Sequence, residues 1–312
     1  MTNDAKKFKK VLVLCGGNSS ERSVSLVSGK ACADALRRLG YEVSVVDTDD
    51  MRDAVQQILS IAPDVVFNAL HGRQGEDGCV QGFLNLVGLP YTHSGVMASA
   101  VAMDKVATKQ LLAGVGVPSP GGITCTLAAL REKEPMARPY VVKPVCDGSS
   151  KGVVIVQSGE DLDALFGDAD LAQEVLVEEF IAGHELTVGV MEGKAFAVTE
   201  LKPESGWYDF EAKYTAGKTL HLLPASLPPA VYQAALRHAE QAHAVLGCRG
   251  ISRSDFRYDP ARENDENHGL YFLEINTQPG MTELSLAPEQ AIYCGYTFDT
   301  FVDRLVQLAQ VD

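Results

Sequence analysis

Two short stretches hold residue types suited to phosphate chemistry. Residues 270–280, LYFLEINTQPG, begin as an apolar run of strand character that Glu274 and Asn276 interrupt. Side chains alternate along a strand, so these two are expected on one face, shared with Leu270 and Phe272. A carboxylate and a carboxamide two residues apart are hard-oxygen donors at a separation suited to Mg²⁺. Taken alone, the pair reads equally well as a strand end meeting solvent. In a second stretch, residues 251–257, alternation puts Arg253 and Asp255 on a common face. A polar connector over 259–269 joins the two stretches and fits an antiparallel pair. If the faces match, Arg253, Asp255, Glu274 and Asn276 converge. Three oxygen ligands would then hold metal bridging nucleotide phosphates, and the guanidinium would meet charge at the reacting centre.

Other residues stand out singly. Lys143 lies in the apolar run Val-Val-Lys-Pro and faces away from Val142. A lysine there costs stability unless a charge pairs with it, so an anion is expected nearby. Residues 147–152, Asp-Gly-Ser-Ser-Lys-Gly, join two strands and could offer backbone N–H groups and hydroxyls to a phosphate. An ordinary hairpin loop has the same composition, and the P-loop pattern is absent. His71 follows a strand in Ala-Leu-His-Gly, at the end where parallel sheets bind ligands, although a loop histidine serves plain hydrogen bonding as readily. Glu21 follows Asn18 by three residues, a helix-capping spacing.

These residues need elements to carry them. The order strand 11–15, helix, strand 41–46, helix 51–61, strand 64–70 predicts a parallel sheet. The first helix should bury Val24, Val27, Ala31, Ala35 and Leu39, and Gly40 should end it. Gly16-Gly17 lacks the dinucleotide fingerprint, which leaves an oxidoreductase reading resting on the sheet alone. A helix over 81–87, a short edge strand over 90–93 and a helical region over 95–114, broken near Met103, follow. The middle section is α+β, with strands over 140–145, 152–157 and 175–180 and a helix over 162–166. Strands over 186–191 and 194–201 come next. Residues 205–220 are long, aromatic, charged and without a clear period, which reads as a lid. A helix over 230–246 should be amphipathic, with Val231, Ala234, Ala235, His238, Ala242 and Val245 roughly on one side and His238 and His243 serving helix packing or facing solvent, and a last helix covers 298–310. The expected organisation is an α/β fold in three domains, 1–97, 98–182 and 183–312.

Composition narrows the function class. With 312 residues, 46% of them hydrophobic, the chain can bury a large core. A formal net charge of -14 argues against nonspecific nucleic-acid binding. Its seven cysteines form no Cys-x-x-Cys and pair closely with no histidine. That pattern suggests reduced thiols in a cytoplasmic protein and argues against zinc. No apolar run reaches membrane-spanning length, and the basic N-terminus leads into a buried strand rather than a signal sequence.

Taken together, Asn-Ser-Ser-Glu21-Arg-Ser-Val-Ser, Ala-Leu-His71-Gly, Met-Asp-Lys105, Val-Val-Lys143-Pro, Asp-Gly-Ser149-Ser150-Lys-Gly, Glu-Ala-Lys213-Tyr214, Arg253-Ser-Asp255 and Glu274-Ile-Asn276-Thr-Gln-Pro-Gly280-Met-Thr occur in order over essentially the whole chain. This combination resembles the D-alanine–D-alanine ligases of the ATP-grasp superfamily. The resemblance implies ATP between the central and C-terminal domains. Lys105 and Lys143 would meet its phosphates, the Ser149–Ser150 loop would cover them, and Lys213 would reach the γ-phosphate. Glu178 to Ile181 would form the adenine hinge, Glu185 would meet the ribose, and Asp255, Glu274 and Asn276 would hold two Mg²⁺ or Mn²⁺ ions. Glu21, helped by His71, would bind the ammonium of the first D-alanine, and Glu21, Ser149 and Tyr214 would clamp the loop. Arg253 and the Gly280 N–H would stabilise the tetrahedral intermediate. Ser285 and Leu286 would open a helix, with Pro288 in its first turn, whose N–H groups suit the second substrate's carboxylate.

The resemblance also implies a cytoplasmic homodimer serving peptidoglycan synthesis. Three positions depart from the family pattern: Asp147 stands where glutamate is common, Lys151 where an apolar residue is common, and Ser254 where an aliphatic one is usual. Tyr214 favours an amine nucleophile over D-lactate. Besides the oxidoreductase reading, the alternatives are a ligase using D-serine or D-lactate as second substrate and a nucleotide sensor without turnover. The complete Arg253, Asp255, Glu274 and Asn276 set speaks against the sensor.

Overall fold

The computed structural model describes residues 7–146, 152–167, 169–203, 218–282 and 285–312. The chain opens with β1 (Lys10–Cys15), α1 (Arg22–Arg38), β2 (Glu42–Asp47), α2 (Met51–Ile61) and β3 (Val65–Asn68). The three strands form a parallel sheet in the order β2-β1-β3. β1 reads as a continuous apolar run because both its faces are covered. Val11 and Val13 face one core, and Leu12 and Leu14 face another with Ile58 and Leu84.

The buried face of α1 differs from the expected one. Val24 and Ala35 are buried, but so are Ser25, Ser28, Gly29, Cys32 and Leu36, whereas Val27 is exposed. Small residues let α1 lie close on β1, and a Cβ on Gly29 would overlap Cys15. Periodicity of large apolar residues cannot see that contact.

After α3 (Cys79–Leu86), the expected edge strand is reduced to single-residue bridges at Tyr91, parallel to Val66 and antiparallel to Gln310. The helical region breaks as expected, into α4 (Val96–Met103) and α5 (Lys105–Ala113). Asp104 makes the break: its backbone is extended and its carboxylate accepts from the N–H groups of Val106 and Ala107.

The central part is an antiparallel sheet, β4-β7-β5-β6, built from β4 (Gly122–Thr126), β5 (Tyr140–Pro144), β6 (Val154–Val156) and β7 (Glu174–Glu179). α6 (Leu127–Glu132) and α7 (Leu162–Phe166) accompany it. β4 and α6 were not foreseen. β4, GITCT, is largely exposed at the sheet edge and has no apolar run to announce it.

The last part is a five-stranded antiparallel sheet, β10-β9-β8-β11-β12, made of β8 (His184–Met191), β9 (Lys194–Pro203), β10 (Thr219–Leu222), β11 (Ile251–Tyr258) and β12 (Leu270–Asn276). Residues 219 and 220, expected in the irregular loop, belong to edge strand β10. The rest of that loop, 205–217, lies outside the described residues. α8 (Pro229–Val245) packs its buried Val231, Ala234, Ala235 and Ala242 on this sheet. Val245 is exposed, contrary to expectation, and His238 is half-buried. α9 (Leu286–Tyr293) and α10 (Phe298–Gln307) close the chain. No described helix is long and apolar enough to cross a membrane.

One feature of β12 corrects the simple alternation. β11 and β12 pair with Asp255 opposite Glu274, but Phe256 falls opposite Phe272. The extra residue, Leu273, forms a bulge that reverses the parity of the strand. Leu270, Phe272 and Ile275 therefore enter one core, while Glu274 and Asn276 turn to the other face.

Candidate active site

The floor of the site is the register of β11 on β12, which sets Arg253 opposite Asn276 and Asp255 opposite Glu274. Alternation along β11 turns Arg253 and Asp255, and the bulge in β12 turns Glu274 and Asn276, away from the core under α8. Arg253 grips Asp255 through two parallel bonds, Nε to Oδ1 and Nη2 to Oδ2, both 2.9 Å. Thr187, opposite Asp255 on β8, donates its hydroxyl to Oδ1 at 2.6 Å. Lys105, first residue of α5, holds its Nζ 3.7 Å from Glu274 Oε2. Its backbone N–H donates to Val145 O at 3.1 Å, tying α5 to the end of β5.

The chain beyond β12 joins this floor to the parallel sheet. Asn276 Oδ1 accepts from the Gln278 N–H at 2.7 Å. The buried Gln278 side chain accepts from Asn68 Nδ2 at 2.7 Å and donates to Leu70 O. His71, next in sequence, is buried between two groups: Nε2 lies 3.2 Å from Ser28 Oγ and Nδ1 lies 3.2 Å from Glu76 Oε1. Glu21, His71 and Glu76 bring one ligand atom each within 4.8 Å of one another. Burial pushes the Glu76 carboxyl up to about 7, against the pull of the His71 hydrogen bond. Glu21 precedes α1, but its side chain makes no capping bond and lines the cleft instead.

Across the cleft, Ser285 stands at the N-terminus of α9. Its hydroxyl is taken by Thr282, with Thr282 N–H donating at 2.9 Å, and does not cap the helix. Pro288 falls in the first turn, as expected. Gly280 runs so close that an added Cβ would stand 2.8 Å from Ser285 Oγ. Glu21, His71, Lys105, Arg253, Glu274, Asn276, Gly280, Ser285 and Leu286 thus line one cleft of about 820 Å³, together with Glu76.

The remaining expected residues form a second group. Val141 and Glu178 are opposite in the β5–β7 register, and Lys143 is two residues further along the same face. Its expected charge partner is internal: Lys143 Nζ lies 2.5 Å from Glu178 Oε2. Lys109, from α5, pairs with Glu178 Oε1. Burial would raise the Glu178 carboxyl, but the two ammoniums outweigh it and hold the group below the ordinary carboxylate range. Glu185 accepts from Arg257 Nη1 at 3.2 Å. The same guanidinium donates to Ile181 O and Gly183 O, both at 3.1 Å, and so holds the turn between β7 and β8. Ser149, Ser150, Lys213 and Tyr214 lie outside the described residues, as do Asp147 and Lys151.

Sequence reasoning missed Glu76, Lys109 and Arg257. Lys109 had a signal, since it sits four residues after Lys105 on one helix face. Glu76 lies in an irregular turn, and nothing local marks it.

Lys143 from a four-stranded sheet, Lys105 and Lys109 from α5, carboxylates from a five-stranded sheet, and a parallel sheet completing the cleft define a ligase of the ATP-grasp class. The comparisons with known proteins narrow the class. The family models for the D-ala D-ala ligase C-terminus and N-terminus match residues 125–307 and 47–94. The D-alanine–D-alanine ligase of Gluconobacter oxydans is 52% identical over 96% of this chain and 99% of its own. That of Erythrobacter litoralis is 50% identical over 96% and 93%. The crystal structure of the Bacillus anthracis D-alanine–D-alanine ligase complexed with ATP superposes with a TM-score of 0.78 at 28% identity, over 97% of both chains. A second structure of the Bacillus anthracis enzyme gives 0.81, over 96% of this chain and 97% of its own. The chain belongs to the D-alanine–D-alanine ligase family.

Proposed function

We propose that this chain condenses two D-alanine molecules into D-alanyl-D-alanine, with conversion of ATP to ADP and phosphate, for peptidoglycan synthesis. The observation that carries the reading is the convergence of Arg253, Glu274, Asn276, Glu21, His71 and the α9 N-terminus on one cleft. A carboxylate is a poor acyl donor because its leaving group would be oxide. Phosphorylation of the first D-alanine gives an acylphosphate, from which phosphate leaves readily. The amine of the second D-alanine attacks its carbonyl carbon, and the resulting oxyanion is met by Arg253 and the Gly280 N–H.

Glu21 and Glu76, flanking His71, suit the ammonium of the first substrate. The N–H groups opening α9 suit the carboxylate of the second. Lys105, Lys143 and Lys213 act on the phosphates, the Ser149–Ser150 loop covers them, and Glu178, Ile181 and Glu185 receive the adenosine. Asp255, Glu274 and Asn276 form an all-oxygen donor set on adjacent strands, which fits Mg²⁺ or Mn²⁺ and not a thiolate-seeking metal. Such an ion, held by these three residues, would supply positive charge against that of the phosphate oxygens. The three-domain division 1–97, 98–182 and 183–312, a homodimeric state and a cytoplasmic location belong to the same reading.

The test measures ADP and phosphate release with Mg²⁺-ATP and D-alanine, and identifies the product by mass beside L-alanine and D-lactate controls. A dipeptide formed only from D-alanine is expected. Nucleotide hydrolysis without dipeptide would redirect the second substrate to D-serine or D-lactate, and no turnover at all would leave a binding protein. Tyr214→Phe should raise D-lactate use relative to D-alanine, and an unchanged product ratio would remove Tyr214 from selectivity.

A further inference from the structure

Lys109 has no part in the reading above, yet it is buried against Glu178 and pairs with that carboxylate. It stands one turn after Lys105 on α5 and reaches the opposite oxygen of the carboxylate that Lys143 holds. We propose that Lys109 is a positioning residue, the standing counter-ion of Glu178 that lets Lys143 leave that carboxylate for the nucleotide phosphates. The proposal rests on the nucleotide reading above.

The argument is one of charge in a closed space. Glu178 is 1% exposed, and its two lysine side chains are 10% and 11% exposed. Without nucleotide, two ammoniums share one carboxylate, and Lys143 is already paired. A lysine paired at 2.5 Å can serve a phosphate only by giving up or sharing that contact. Removing one partner of a buried ion pair is strongly destabilising, because the other is left as an uncompensated charge. With Lys109 in place, Glu178 keeps a partner and stays aimed where the base is read. Without Lys109, Lys143 becomes the one counter-ion of Glu178 among the described residues and resists transfer.

The lysine's own ionisation is consistent with crowding. Burial first, then the adjacent Lys143 charge, pulls Lys109 down to about 8. Moving Lys143 toward a phosphate relieves the second cause. Lys109 itself is the poorer candidate for transfer, since it sits inside a helix, whereas Lys143 is the penultimate residue of its strand.

The experiment uses the full chain and a non-hydrolysable ATP analogue with Mg²⁺, with binding read by calorimetry and stability by melting without nucleotide. Lys109→Met should melt close to the parent, because Lys143 still neutralises Glu178. It should bind the analogue about tenfold or more weakly, with KM for D-alanine unmoved. Lys109→Arg should restore most of the affinity. In the background of Glu178→Gln, where no carboxylate needs a partner, Lys109→Met should weaken binding less than about threefold.

Binding by Lys109→Met within about twofold of the parent would overturn the proposal. So would loss of its melting transition without nucleotide, since the lysine would then serve the fold alone. A parent that fails to bind the analogue would overturn the nucleotide reading and this proposal with it. A parent that binds, with Lys109→Met unchanged, overturns the proposal alone.

Discussion

Glu76 shows how a single buried carboxylate shapes the substrate pocket. Its native value of about 7 lies above the ordinary 4.5, so between those values the folded protein holds a proton that the unfolded chain has released. Stability contributed by this group is therefore present below about 4.5 and is lost as pH rises toward about 7. Glu76→Gln should flatten that slope, by up to roughly 3 kcal/mol, and melting curves across the interval check it. An unaltered slope would place the titration elsewhere. Glu274 makes a different prediction because its side chain is 29% exposed and no core depends on it. Glu274→Gln should keep the melting temperature and lower turnover on the order of 10²-fold or more. Near-normal turnover would remove it from the metal set.

At the scale of elements, what matters is how α9 is held to the sheet. Gln290 is fully buried and spends its whole amide on β8 and β9. Its Oε1 accepts from Gly189 N–H at 2.6 Å, and its Nε2 donates to Thr187 O at 3.1 Å and Thr199 Oγ1 at 2.8 Å. Thr187 also donates to Asp255, so one residue of β8 ties the middle of α9 and the acidic floor into one frame. Gln290→Leu would strand the Gly189 N–H in the interior. It should cost about 2–3 kcal/mol and raise KM for the second D-alanine more than that for ATP. Initial-rate kinetics separate the two substrates, and an equal rise in both would mean general loosening.

Across the whole molecule, the cores do not follow the sheets. Val11, Val13 and Phe67 of the parallel sheet share one core with Met191, Ile251, Met281, Ala291, Phe301 and Val302. The core of the central sheet is closed on itself, from Leu127 to Val177. Residues 1–97 made alone would expose the α1 surface that α10 covers, where Tyr41 Oη donates to Asp303 Oδ1 at 2.5 Å. That fragment should show no cooperative melting. In the full chain, hydrogen exchange should protect β1 and β11 together, with the central sheet opening separately. Independent melting of the fragment would show that the shared core is dispensable.

Local signals along the chain announce the chemistry on offer and much of its carriage. Glu274, Asn276, Arg253 and Asp255 were legible because strand alternation and a polar connector are local signals. The same holds for the break at Asp104 and for the α9 start at Leu286, where backbone capping and proline leave local marks. Tertiary structure decided the rest, because its causes lie far apart in the chain. The bulge at Leu273 exists only against a partner strand, and it, not plain alternation, turns Glu274 toward the cleft. The partner of Lys143 is Glu178, on a neighbouring strand, and Lys109 joins them from a helix. His71 had a visible place at a strand end, but Glu76 and Ser28 reach it through packing alone. Residue type is written locally, whereas burial and the company a charge keeps are set when distant segments close on one another.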